Sequence, residues 1–406
     1  LDFASFIAAR ITFKSKRTFS KLIVRIAIVG IMLGLSVMIL SLAVVRGFKE
    51  QIREKIRGFA GDIEVQKFDL NNSYETSPIT ADSNFYKKAR KLKSITQIMP
   101  FATKNGIIRA NNEIEGVVLK GVDKSYDWSF FKKSMIAGKV IDFSDTLAAR
   151  RQLMISQTTA NRLKLKVGDK IVMYFVQEPL ERRPFTITGI YSSGVSEVDQ
   201  IYVIGAMSLI QRLNHWPPDE IGGYELRVND FERLNEIAGN IDDILPTKLK
   251  AYTVIQTYTT IFEWLGLLDM NTVVMLVLML IVAVINMISA LLIMILERTS
   301  MIGMFKAMGA TDWSIQNIFL YNAFYLIGFG LILGNLFGYG LGYMQDKTHL
   351  FKLDPASYYM DFVPIQFTWS DGLLLNVGTL IICLIVLIIP STLVSKISPV
   401  RAIRFK

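Results

Sequence analysis

The hydrophobic and polar positions fall into long uncharged runs separated by polar stretches. Met270–Leu296 carries no charged residue, and Ile315–Gly342 is likewise uncharged. Leu22–Val45 and Gly372–Val394 are two further apolar runs. Each exceeds the ~20 residues that cross a bilayer core as a helix, so four spans are expected, at 22–45, 270–296, 315–342 and 372–394. Between the second and third spans lies a polar island, ERTSMIGMFKAMGATD (297–312). Within it Met301, Ile302, Phe305 and Met308 share one helical face, with Thr299, Gly303, Lys306 and Ala310 opposite. Gly309 is placed to stop that helix and Thr311 or Asp312 to cap the next. The island therefore predicts a short amphipathic helix at the membrane surface, serving as a connector or as a docking element.

Between the first two spans the pattern changes. Phe48–Phe59, FKEQIREKIRGF, keeps apolar residues at helical spacing and extends the first span outward as an amphipathic stalk. From Gly61 to Ala251 the composition is that of a soluble domain. GDIEVQKFD alternates as a strand, and Asp82–Ile95 reads as a helix. Gly106–Ala110, Gly116–Gly121 and Lys170–Phe175 read as strands. GGYELRV and FERLNEIAGNIDDIL close the region with a strand and a helix, which can pair with the opening strand and helix around an inserted middle. The expected fold is a four-helix membrane protein carrying a large α+β domain between its first and second spans. The expected divisions are 1–47, 48–262 and 263–406.

Charge orients this arrangement. The chain has 406 residues and a net charge of +10. Arg10, Lys14, Lys16, Arg17, Lys21 and Arg25 precede or enter the first span; Arg298 and Lys306 lie in the island; Lys396, Arg401, Arg404 and Lys406 end the chain. Only Asp2, Glu297 and Asp312 oppose them in these segments, so nearly all of the excess flanks apolar runs. That is the positive-inside pattern, and it predicts both termini and the island in the cytoplasm, with the large domain outside. A nucleic-acid partner would need a basic face on one folded domain, and none is evident. The first run is too long for a cleaved signal peptide, and Val44-Val45-Arg46 is a poor cleavage site.

Little points to catalysis. There is one cysteine, Cys383, within an apolar run, and two histidines, His215 and His349, so neither a disulfide nor a metal site is expected. No GxxxxGK[ST] or Gly-x-Ser-x-Gly motif occurs. Few charges fall within the spans, which argues against ion coupling through buried carboxylates. Asn286 and Asn322 are expected to hydrogen-bond between helices. Gly30 with Gly34, and Gly330, Gly334, Gly338 and Gly342, form stripes suited to close helix contact.

The island and the glycine-stepped run after it resemble the coupling segment of the FtsX/MacB superfamily of ABC-transporter permeases. ISQTTANRLKLKVGDKIVMYF resembles the periplasmic core of that family. Two stretches resemble its LolC/LolE branch, the lipoprotein-releasing permeases: GIYSSGVSEVDQIYV (189–203), and KLDPASYYMDFVPIQF (352–367) with Asp354-Pro355, Tyr358-Tyr359 and Val363-Pro364. The resemblance covers nearly the whole chain. It departs at Ser300 and Met301, where the family usually has an acidic residue before the Ile-Gly pair.

The resemblance implies a non-catalytic permease subunit of the bacterial inner membrane. It implies no cofactor on this chain, with ATP and Mg on a separate LolD-like ATPase dimer, and a second permease subunit, the same or a sister chain. It further implies a lipoprotein substrate taken from membrane lipids and a LolA-like periplasmic chaperone. Arg298, Ile302, Gly303, Lys306, Ala307 and Gly309 would couple to the ATPase, with Gly303 and Ala307 on the docking face. The hairpin tip Gln177, Glu178, Pro179, Leu180 and Glu181 would either recruit the chaperone or be a plain turn. Met38, Leu42, Val45 and Phe48 on the first helix, with Phe262, Leu265, Leu268 and Met275 on the second, are candidates for an acyl-chain path or for ordinary packing. The alternative function is an FtsX-like mechanotransmitting permease that regulates a partner such as a cell-wall hydrolase and moves no substrate.

Overall fold

The computed structural model describes Ile7 and residues 18–69, 74–354 and 358–396. The basic residues 10–17 and 401–406 and Pro355 of the Asp-Pro pair lie outside the described residues. Among the described residues, four helices are long and apolar enough to cross a membrane: α1 (Thr18–Ala60), α4 (Thr259–Glu297), α6 (Asp312–Thr348) and α7 (Trp369–Ser391). The shorter helices between the first two include α2 (Ser83–Lys91) and α3 (Leu234–Asp242), and α5 (Thr299–Ala307) joins α4 to α6. The chain forms two compact units. One comprises Leu1–Lys49, Trp264–Lys352 and Phe362–Lys406; the other comprises Glu50–Glu263 and Leu353–Asp361.

In the helical unit, α1 buries one stripe, Ile23, Ala27, Ile31, Leu35 and Met38, and leaves Leu22, Ile26, Val29 and Leu33 open. The glycine stripe of α6 meets this buried stripe. A Cβ built on Gly330 would lie 2.7 Å from Ile31 Cβ, and one on Gly334 would lie 3.0 Å from Leu35 Cβ. At Gly338 the nearest atom would be Ser36 Cα, at 3.2 Å. Lipid tails are as apolar as leucine, so close van der Waals contact supplies the attraction here, and glycine permits it. Ser36 Oγ adds a bond to the Gly334 carbonyl at 2.9 Å. Gly30 admits Asn286 of α4, whose Nδ2 occupies the space a Cβ would need. Between α6 and α7, Asn335 and Asn376 exchange hydrogen bonds of 2.6 and 3.0 Å. Ion pairs add to the unit, among them Arg46 with Asp371, and Lys49 with Asp269 at 2.6 Å.

The second unit is built on a sheet of β1 (Ile63–Lys67), β2 (Ile95–Ala110), β3 (Glu113–Val122), β4 (Met135–Gly138), β5 (Gln152–Ser156), β6 (Lys170–Phe175), β7 (Glu181–Tyr191), β8 (Tyr202–Ala206), β9 (Gly223–Val228) and β10 (Leu249–Thr253). Its order is β10-β1-β9-β2-β3-β8-β5-β7-β4, with β6 bridging β2 and β7. The bridge closes β2, β3, β8, β5, β7 and β6 into a ring, so the long strand β2 serves both the ring and the open sheet. The opening strand β1 lies between the late strands β9 and β10, both antiparallel to it.

The C-terminal end of α1 roots in this unit. Ile52, Ile56, Phe59 and Ala60 are buried, and Gly61 ends the helix at φ +74°, donating to the Arg57 carbonyl at 2.9 Å. Asp62 then gathers the junction. Its carboxylate accepts from Arg57 Nη2 at 3.0 Å and from the Val228 amide at 2.8 Å, and its carbonyl accepts from the Val254 amide at 2.9 Å. The guanidinium of Arg53 lies 4.4 Å over the Phe231 ring, which stacks on Phe262 at 6.2 Å. These contacts tie the end of α1 to the start of α4 through the sheet.

Candidate functional site

The two stretches that carry the lipoprotein-branch resemblance lie far apart in sequence and meet in space. Residues 353–361, between α6 and α7, belong to the sheet unit. Tyr359 Oη donates to Glu197 Oε1 at 2.9 Å. The Tyr359 carbonyl accepts a hydrogen bond from Lys55 Nζ on the C-terminal part of α1. Gly194 makes room for this contact, because at φ +69° a Cβ there would lie 2.4 Å from Lys55 Nζ. Beside it Asp199 is 5% exposed and accepts from the amides of Ser193 and Gly194 at 3.0 and 3.3 Å.

The electrostatics follow the burial. Desolvation lowers the Lys55 pKa, while Asp361 and Asp199 oppose that fall. Burial also raises the Asp199 carboxyl against its hydrogen bonds. Tyr359 is pushed up to about 12, first by burial and then by its bond to the Glu197 carboxylate. The result is a strap, a loop between two apolar helices pinned to the stalk of a third and to the Ser-Glu-Val-Asp turn. Lys55 was not legible as its pin, since a lysine in an amphipathic stalk has the signature of a solvated face. The glycine after Ser192-Ser193 was the one local signal of a close approach.

The island is helical over Thr299–Ala307, but its faces need correction. Ile302 and Gly303 are buried, so Gly303 does not line an open docking face. Met304 and Met308 are 55% and 70% exposed, and Ser300 and Ala307 are exposed with them. These four residues are spaced along one side of the helix. Met308 thus lies opposite the face it was expected to share with Ile302. Lys306 is engaged within the chain, pairing with Asp312 at 2.8 Å and donating to the Ser395 carbonyl at 3.1 Å. Arg298 occupies the N-cap position and Gly309 follows the helix at φ +93°.

The hairpin tip is short. β6 and β7 stay in register up to Phe175 opposite Glu181, leaving 176–180 as the turn. Glu181 is therefore a strand residue, paired with Arg183 at 2.7 Å. Gln177 is half-buried and donates to the Leu213 carbonyl at 3.3 Å. Glu178, Pro179 and Leu180 form the open edge, with Leu180 62% exposed. Of the acyl-path candidates, Met38 and Leu265 are buried, Leu42, Val45, Phe48 and Leu268 are half-buried, and Met275 is open. Ser41 Oγ contacts Met275 Sδ at 3.3 Å, a direct contact between α1 and α4. Phe262 lies in the sheet unit, stacked on Phe231.

The chain thus combines four apolar helices, a β-rich domain between the first two and a short helix between the middle pair. Residues 26–244 match the MacB-like periplasmic core domain, and residues 273–399 match the FtsX-like permease C-terminal family. The chain belongs to this FtsX/MacB family of membrane permeases. Its relatives include the lipoprotein-releasing system transmembrane protein LolC of Neisseria meningitidis serogroup B, 22% identical over 97% of this chain and 96% of that protein. LolE of Haemophilus influenzae is 25% identical over 96% of each chain. The solved periplasmic region of MacB from Actinobacillus actinomycetemcomitans aligns with 52% of this chain and 97% of its own, at 13% identity and a TM-score of 0.35.

Proposed function

We propose that this chain is the membrane subunit of an ABC complex that extracts lipoproteins from the outer leaflet of a bacterial inner membrane and passes them to a periplasmic carrier. The observation that carries the reading is near full-length similarity to lipoprotein-releasing transmembrane proteins of both LolC and LolE type. The meeting of the Ser-Glu-Val-Asp turn with Tyr359 adds support, because both belong to the stretches that resemble that branch. Both termini and α5 lie in the cytoplasm in this reading, and the sheet unit lies in the periplasm. A separate ATPase dimer, holding ATP and Mg, docks on the open side of α5 at Met304, Ala307 and Met308. A second permease subunit completes the complex.

A triacylated lipoprotein buries about 40 methylenes, so release into water would cost roughly 30 kcal/mol at ~0.8 kcal/mol each. Transfer must therefore follow a continuous apolar surface, and the outer halves of α1 and α4 provide one around Leu42, Leu268 and Met275. Methionine and leucine repack readily around varied chains. The test is release of a radiolabelled lipoprotein to a soluble carrier from vesicles holding the reconstituted complex. ATP-dependent release that Leu42→Asp and Leu268→Asp abolish, with the complex still assembled, is expected. No release by the unmodified complex would overturn the reading.

The FtsX-like alternative keeps one favouring observation. α1 runs unbroken over 43 residues from the apolar run into the sheet unit, as a force-transmitting element would. In that case ATP would activate a periplasmic enzyme and leave lipoprotein in the vesicle.

A further inference from the structure

Within the sheet unit, away from the strap, a cavity of about 310 Å³ opens over the face of β1, β9, β2, β3 and β8. Its size is at the lower end of small-molecule sites. The floor is polar, which is unusual for a sheet interior. Lys120 and Glu225 form an ion pair of 2.6 Å, with side chains only 3% and 2% exposed. Glu64 stands directly opposite Glu225 in the β1–β9 ladder, so two carboxylates share one face. Lys120 is already committed: it pairs with Glu225, donates to the Phe59 carbonyl and sits 4.3 Å over the Phe59 ring.

That leaves negative charge in excess. Glu225 Oε2 is buried with no hydrogen-bond donor among the described residues. On the floor itself Glu64 and Glu225 share the single ammonium of Lys120, while Glu75 at the rim is paired with Lys104 at 2.9 Å. The walls are aromatic: Phe101, Tyr74, Tyr202, Tyr252 and Tyr258 join Phe59. Tyr202 packs on Phe59 at 4.9 Å and meets Tyr74 edge-on at 6.4 Å. Carboxylates at the base of an aromatic-walled cavity recognise a positive head with some apolar body. A bare divalent ion fits less well, because the Lys120 ammonium on Glu225 would repel it.

We propose that this cavity binds a small organic cation with an ammonium or guanidinium head, held by Glu64 and Glu225 and covered by the tyrosines. The inference does not depend on the transport reading. The Glu64 carboxyl, pushed up to about 7 by burial and by neighbouring Glu225, agrees with a site short of one positive charge.

The test is calorimetric titration of the full chain in detergent with agmatine and with putrescine, alongside butanol as an uncharged control and calcium as a metal control. Saturable binding of at least one diamine, with none for butanol, is expected. Glu64→Gln should weaken it about tenfold, the loss of one partly buried charge contact. Glu225→Gln strands Lys120 and can unfold the sheet, so Tyr74→Leu at the exposed rim is the second variant, with a several-fold weakening expected. Three results would overturn the proposal: no saturable heat with either diamine, unchanged affinity in both variants, or binding of calcium in place of the diamines.

Discussion

Along α1, residues 23–39 and residues 52–60 are held by different physics. The first stretch packs by shape, with Ile31, Leu35 and Ser36 against the glycines of α6. The second adds to its buried Ile52 and Ile56 a set of charged and aromatic contacts, through Arg53, Lys55, Arg57, Phe231 and Asp62. In lipid, polar contacts are costly unless fully paired, and dispersion between close backbones supplies the attraction. In water, an aromatic ring under a guanidinium and a buried carboxylate accepting several donors can fix a helix end. One continuous helix thus carries two fastenings, each suited to its surroundings.

The aqueous fastening should give the largest effect when broken. Asp62→Ala removes an acceptor shared by Arg57 and the Val228 amide, and should destabilise the sheet unit by about 3 kcal/mol, the low end for a broken buried pair because Arg57 stays partly hydrated. Thermal unfolding of the full chain, followed by near-UV circular dichroism, measures it. An unchanged transition would show that the junction rests on apolar packing alone.

Next is the membrane fastening. Gly330→Leu forces a side chain against Ile31 and should cost about 2 kcal/mol, the usual scale of overpacking. Helicity measured against increasing SDS in mixed micelles reports it, and the sheet unit should keep its own transition. Smaller still is the strap. Tyr359→Phe should cost about 1 kcal/mol or less, since its bond to Glu197 is open to solvent. A double-mutant cycle with Glu197→Gln isolates the pair, and additive effects would mean that the loop is held by Lys55 instead.

The smallest effect is set by pH. Glu64 lies near 7 in the folded chain against an ordinary value of 4.5, so between those values the folded state holds a proton that the unfolded chain has released. Its contribution to stability is undiminished below about 4.5 and falls as pH rises toward 7. The residue as a whole is half-buried, so the slope should be modest, and Glu64→Gln should flatten it.

The spans and the glycine stripe were legible because their signals are local: uncharged runs of sufficient length, and glycines four residues apart. The opening and closing strands were legible as a pair because each alternates cleanly. What was hidden depends on contacts far apart in sequence. Nothing near Tyr359 announces Glu197, and nothing in β3 announces that Lys120 will be buried against Glu225. The island misled for a different reason. Met304 and Met308 are apolar yet exposed, so periodicity alone assigned Met308 to the buried side and Gly303 to the open one.

The paired amides of Asn335 and Asn376 carry one more consequence. Each donates to the other and accepts from it, so the two bonds form or fail together. If α6 slid along α7 by one helical turn, about 5.4 Å, both amides would lose their cross-helix partner at once and keep only their bonds to the Leu331 and Gly372 carbonyls of their own helices. Bonds of this kind are worth about 1–2 kcal/mol at most, enough to act as a detent without acting as a lock. The two helices are therefore expected to tilt as one piece under small loads, and to change register only in a single step.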